Sequence, residues 1–142
     1  MPLITVTYAS QRRSPSLKKD IAETVTALTA RILRKDPKVT AVIVRQADAA
    51  DWFAGGASLA EQGLASYWID VHVSEGTNTK DEKAAYLAAV FDRMAELIGP
   101  LHHETYLHVD EVRGDAYGFG GLTQEHRYVA AKLDVPPQRG AV

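Results

Sequence analysis

The chain has 142 residues, 46% of them apolar and 24% charged, with a formal net charge of -2 and no cysteine. That length suits one ordinary domain with its own core, and the composition reads as globular. The charge balance gives no electrostatic case for nucleic acid or a membrane surface, and the missing cysteines remove disulfides, thiolate metal sites and cysteine nucleophiles.

No apolar run is long enough to span a bilayer, and the N-terminus lacks the basic and apolar regions of a signal peptide. The cytoplasm is the expected compartment.

Met1-Pro2-Leu3-Ile4-Thr5-Val6-Thr7-Tyr8 opens the chain. Leu3, Ile4, Val6 and Tyr8 predict a first strand over about 3–8. If Met1 is removed, Pro2 becomes the terminus and its ring nitrogen becomes a secondary amine. A terminal amine starts near pKa ~7.7–8.0, and burial in an apolar pocket lowers it. That places a proton acceptor near working pH.

Ala9 to Arg13 is a polar turn. Ser14-Pro15 predicts a helix start, with serine as cap and proline at the first helical position. Leu17, Ile21, Val25, Leu28 and Ile32 form one apolar helical stripe, and Asp36-Pro37 ends it. Val39 to Val44 is the second β-rich run. A loop over 46–51 leads to Trp52-Phe53-Ala54-Gly55-Gly56.

The second half repeats the plan. Tyr67 to Val73 predicts a strand, and Thr79-Lys80-Asp81-Glu82 has capping-box spacing. Tyr86, Leu87, Val90, Phe91, Met94, Leu97 and Ile98 form a helical stripe, stopped at Gly99-Pro100. Thr105 to Val112 is a strand, and Ala116-Tyr117-Gly118-Phe119-Gly120-Gly121 closes the unit.

The halves align without a gap at a shift of 65: Ile4 on Ile69, Val6 on Val71, Val25 on Val90, Val44 on Val109, Trp52 on Tyr117, and Gly55-Gly56 on Gly120-Gly121. This predicts a tandem β-α-β duplication, with units at about 2–60 and 66–121 and a tail over 122–142. The fold class is α+β: a four-stranded mixed sheet with two helices on one face. The other sheet face is expected to carry Ile, Val and Tyr, and such a face predicts oligomerisation. The Gly-Gly segments are expected to form edge hairpins. Residues 123–128 suggest one more helix, and 136–140 a loose tail.

A β-α-β unit that begins with Pro2 and has Arg12 just past its first strand resembles the tautomerase superfamily, and within it 4-oxalocrotonate tautomerase. The family's longer members are fused pairs that form trimers, and this chain resembles such a pair over about 2–121. The resemblance implies that Pro2 is the catalytic base and that Arg12, with Arg13 as alternative, holds a substrate carboxylate. It puts Trp52 where a family phenylalanine keeps the proline's surroundings apolar. The family's second arginine is missing, with Ala41 and Tyr106 in its two places. The second unit has Tyr67 for the proline and Thr77 for the arginine. One base per chain is therefore expected, with Tyr67, Tyr106 and Tyr117 as pocket wall.

The resemblance implies a cofactor-free tautomerase acting on a small carboxylate-bearing 2-oxo acid, a monocarboxylate in preference to a dicarboxylate. Two alternatives stay open: a hydratase or dehalogenase of the same superfamily, and a non-catalytic ligand-binding module. His72 and His108 alternate with apolar residues in their strands, each with a carboxylate two positions away, at Asp70 and Asp110. Zinc needs three or four converging ligands, so no metal site is expected.

Overall fold

The computed structural model describes residues 1–140. Strand β1 (Leu3–Ala9) leads into helix α1 (Leu17–Ile32) and strand β2 (Ala41–Gln46). A two-residue hairpin follows, β3 (Phe53–Ala54) and β4 (Ala57–Ser58), with a short helix α2 (Leu59–Gln62). The second unit runs β5 (Ser66–Ser74), α3 (Lys80–Ile98), β6 (Tyr106–Val112), the hairpin β7 (Gly118–Phe119) and β8 (Leu122–Thr123), and α4 (Gln124–Lys132). Each element of the first unit has its counterpart 65 residues on.

The strands form one sheet in the order β2-β1-β5-β6. β1 is parallel to β2 and β5 to β6, as right-handed crossovers require, while β1 and β5 meet antiparallel. Ile4 faces Val71, Val6 faces Ile69 and Thr5 faces Asp70. Under the shift of 65 the first two pairs exchange and the third maps onto itself. A pseudo-twofold axis therefore passes through the Thr5–Asp70 pair.

Alternation along β1 and β5 sends Ile4, Val6, Tyr8, Ile69, Val71 and Val73 to one face, where both helices cover them. Ile21, Val25 and Leu28 of α1 and Tyr86, Val90 and Met94 of α3 complete the core. Burying such a side chain contributes roughly 1.5–3 kcal/mol. Between the helices, the Tyr86 hydroxyl meets Thr29 Oγ1 at 2.9 Å, and Thr29 Oγ1 donates to the Val25 carbonyl at 2.7 Å.

Several expected boundaries move. α1 starts at Leu17, not at Ser14-Pro15. The Ser14 carbonyl accepts from Leu17 N, and the Ser16 hydroxyl donates to Asp20 instead of capping the helix. α1 ends at Ile32, before Arg34 turns left-handed at φ 56. Val39 lies in a 3-10 turn whose amide is bonded to the Asp36 carbonyl, so β2 begins at Ala41. On α3 only Tyr86, Val90, Met94 and Ile98 are buried; Leu87 and Phe91 point outward because the sheet and α1 cover a narrow stripe. The α3 capping box forms as expected.

Both hairpins turn on Gly-Gly, with φ 65 and 82 at Gly55-Gly56 and 60 and 83 at Gly120-Gly121. Two consecutive positive φ angles make the turn that matches strand twist, and they favour glycine at both places. α2 was not expected. Its signal is the Ser58 cap, whose hydroxyl accepts from Glu61 N, and a left-handed Gly63. The helix suggested over 123–128 forms as α4, nine residues long, and β8 takes the first two residues of the segment grouped with the tail. Residues 134–140 have no regular structure, and residues 141–142 of the expected tail lie outside the described residues.

The open sheet face also differs from expectation. The Ile, Val and Tyr side chains of β1 and β5 turn to the helices. The open face is mixed: Leu3, Ile43, Trp68 and Tyr106 are exposed among Thr5, Thr7 and two His–Asp pairs. His72 lies 3.7 Å from Asp110 and His108 3.8 Å from Asp70, so each histidine pairs across strands and not along its own. A register of Asp70 beside His108 and His72 beside Asp110 produces this.

Candidate active site

Proline lacks the amide hydrogen that a central strand position needs, so it fits just before β1. Pro2 is buried there, and its carbonyl accepts from Ala41 N at 3.1 Å, continuing the β1–β2 ladder. Because β1 and β5 are antiparallel, Leu3 sits beside His72. The beginning of the first unit thus meets the end of β5, and the second unit's closing hairpin arrives above Pro2. Tyr117 stands at that point. Its hydroxyl donates to the Met1 carbonyl at 2.6 Å, with the His72 carbonyl at 3.3 Å.

A cavity of about 820 Å³ opens here. Met1, the turn over Ser74–Thr77, the segment over Arg113–Asp115, and Gln124, Arg127 and Tyr128 of α4 line it. Lys35 stands at its edge, its ammonium donating to Thr77 Oγ1 at 2.7 Å. Arg113 is tied to Asp115 by two bonds of 3.0 and 2.8 Å. The Arg127 guanidinium lies over the Phe119 ring, 4.6 Å from its centroid, a cation–π arrangement.

These surroundings act on the terminal amine. Burial comes first in holding the Met1 amine below its ordinary value, and the positive charges of Lys35 and Arg127 push the same way, against a smaller opposing pull from Asp36. The shift is in the direction of the neutral, proton-accepting form.

Within one chain, Pro2 and Tyr117 come together and the other expected residues do not join them. Arg12 lies beyond the far end of β1, a seven-residue strand that separates the two by about 20 Å. Its guanidinium donates to the Glu96 carbonyl at 2.6 Å, and its amide to Ser10 Oγ at 3.0 Å. Arg13 is exposed beside it. Trp52 packs on a small cluster of Ala9, Ala49, Ala54 and Leu59 at that same end. Tyr67 is buried there, and burial raises its phenol pKa. Tyr106 is exposed on the open face of β6.

Sequence reasoning missed Lys35, Gln124 and Arg127. The signal was present in the repeat. An antiparallel junction between the units sends each closing hairpin to the other unit's first residue, which puts Tyr117 and not Trp52 at Pro2. It also puts Thr77, the counterpart of Arg12, at this cavity.

Residues 2–62 match the family model described as tautomerase enzyme. No curated protein sequence matches the chain. Among solved structures, a fused 4-OT wild-type symmetric trimer superposes with TM-score 0.73 at 18% identity, covering 87% of this chain and 96% of that one. Pt0534, solved after inactivation by 2-oxo-3-pentynoate, gives TM-score 0.74 at 16% identity over 87% and 96%. A macrophage migration inhibitory factor-like protein from Entamoeba histolytica gives TM-score 0.71 at 19% identity over 86% and 97%. The first unit thus matches the tautomerase family model, and the chain as a whole shares the two-unit fold of the fused 4-OT structures.

Proposed function

We propose that the chain is a cofactor-independent tautomerase, in which Pro2, freed by removal of Met1, moves a proton within a small carboxylate-bearing 2-oxo acid. The observation that carries this is the terminal amine's position. Met1, whose removal would free the Pro2 nitrogen, lines a cavity of about 820 Å³, and burial and nearby cations hold the Met1 amine below its ordinary pKa.

In the proposed reaction the neutral proline nitrogen takes the proton of an enol hydroxyl. The O–H electron pair closes the carbonyl, and the C=C pair accepts the proton back from the protonated proline at carbon. Pro2 ends as it began. Lys35 faces the substrate's negative charge, and the Tyr117 hydroxyl donates to the oxygen where charge develops. The 2-oxo acid that inactivated Pt0534 supports this substrate class.

A homotrimer is part of the proposal, supported by the trimeric fused 4-OT neighbour and by the exposed Trp68, Tyr106, Leu3 and Ile43 of the open sheet face. Arg12, Arg13, Trp52, Tyr67 and Tyr106 are proposed as pocket residues only through a neighbouring chain. Cytoplasmic location is proposed as well; no helix among the described residues is long and apolar enough to cross a membrane.

The test is the mass of the mature N-terminus together with ketonisation of phenylenolpyruvate by the native chain and by Pro2→Ala. A processed terminus and loss of turnover in the variant are expected. Equal rates would sink the catalytic-proline reading.

A further inference from the structure

The pseudo-twofold axis gives the cavity a built-in comparison. At the far end of the sheet Ala9, Ala49, Ala54 and Leu59 fill most of the corresponding space, with Gln62 beside them, and leave a cavity of only about 190 Å³ at Arg12. The shift of 65 turns these into Ser74, Gly114, Phe119, Gln124 and Arg127. One end of the molecule is largely plugged with methyl groups; the other has traded them for a cavity with polar walls.

Two of these exchanges leave a donor without a partner. Leu59 is fully buried and asks for nothing, whereas its counterpart Gln124 is 8% exposed and its buried Nε2 has no acceptor. Gln62 is satisfied, since its Nε2 donates to the Ala54 and Ala57 carbonyls at 2.9 and 3.0 Å. Its counterpart Arg127 makes neither bond. Arg127 stacks on Phe119, and its buried Nε is unpartnered. No ion pair forms at Arg127 among the described residues, although Glu75, Asp115 and Glu125 also line the cavity. Asp115 is taken up by Arg113.

Buried donors without acceptors are uncommon because each carries a desolvation cost, and functional ones are met when a ligand arrives. Gln124 and Arg127 are three apart on one helix, so they share a face. Both are donors, one is a fixed cation, and both border the cavity that holds the chain terminus. The complementary group is planar, anionic and rich in lone pairs, which describes a carboxylate.

We propose that α4 supplies the carboxylate subsite of this cavity, with Arg127 as its cation and Gln124 Nε2 as its second donor, so that specificity for an acid rests on the helix that follows the second hairpin. This rests on the tautomerase reading for the substrate's identity. Arg127 is a binding residue here and carries no proton.

The experiment measures binding and turnover separately. 3-Phenylpropionate, which cannot tautomerise, is titrated calorimetrically into the native chain, Arg127→Met, Gln124→Leu and Pro2→Ala. Methionine keeps the aliphatic cover on Phe119, and leucine restores the residue of the plugged end. About tenfold or greater weakening is expected for Arg127→Met, the loss expected for a hydrogen bond to a charged group. Gln124→Leu should weaken binding less, and Pro2→Ala should bind as the native chain does. With phenylenolpyruvate, Arg127→Met should raise KM by a similar factor with kcat within about threefold. Failure of the native chain to bind, or equal binding by native and Arg127→Met, overturns the subsite. Full turnover by Pro2→Ala would instead overturn the base and leave the binding result standing.

Discussion

Replacing Tyr117 by phenylalanine isolates one atom at the proposed centre. The Tyr117 hydroxyl is 2.6 Å from the Met1 carbonyl oxygen. Peptide geometry puts that oxygen about 2.3 Å from the Pro2 nitrogen, so the hydroxyl lies within about 5 Å of the nitrogen. Loss of Met1 removes its nearer acceptor, leaves only the longer contact to the His72 carbonyl at 3.3 Å, and frees the hydroxyl to turn to whatever binds at the proline. A hydrogen bond to a charged group contributes roughly 1.5–3 kcal/mol. At about 1.4 kcal/mol per decade, Tyr117→Phe should lower kcat for phenylenolpyruvate ketonisation by about 10- to 150-fold. KM should change far less, because the charge on the substrate oxygen appears only on the way to the transition state. Steady-state kinetics on the processed protein, with denaturation midpoints to show equal folding, measures this. An unchanged kcat in a folded Tyr117→Phe chain would refute the placement of this hydroxyl on the developing negative charge.

Other outcomes follow from the same contacts. Since the neutral amine is the working form, kcat/KM should rise with pH through its pKa, with a midpoint below that of an ordinary terminal amine; Lys35→Met removes one of the charges that lowers it, so its midpoint should move up. Arg12→Ala should raise KM about tenfold, because Arg12 is proposed to reach a neighbouring chain's pocket, and an unchanged KM would refute that role. In the core, Tyr86→Phe should cost about 1 kcal/mol in urea denaturation. Thr29→Val should cost about 1–3 kcal/mol, because it strands a hydroxyl on a residue with no exposure.

Much of the fold was legible because a gapless repeat transfers information between halves. Ile4 with Ile69 and Trp52 with Tyr117 gave the two units, their strands and their hairpins before any coordinates. What the repeat alone does not state is how the units join. The choice of antiparallel β1–β5 pairing decides whether Pro2 meets its own unit's hairpin or its twin's, and only tertiary packing reveals it. The misread face of the sheet has a simpler source. Leu3-Ile4-Thr5-Val6 alternates so weakly in polarity that period two does not say which members face the helices. The helix boundaries moved by a few residues where side chains such as Ser16 found a competing hydrogen bond. Lys35 and Arg127 were out of reach because a lone cation in a sequence looks like solvated surface until its neighbours are known.

The axis through Thr5 and Asp70 has an implication for how such a chain can change. Joining two units end to end turns the second unit's leading nitrogen into a peptide nitrogen, whatever residue stands at position 67. Fusion therefore silences that end by covalent connectivity alone. Freed from any duty to a reactive terminus, that end could fill with alanine and leucine and become ballast, while the end with the amine kept its hollow. A circular permutant opened between Ala65 and Ser66, with the present termini linked, would separate the two requirements. It would expose a new terminus beside the largely filled end and bury Pro2 as an amide, so that no free amine would face the large cavity.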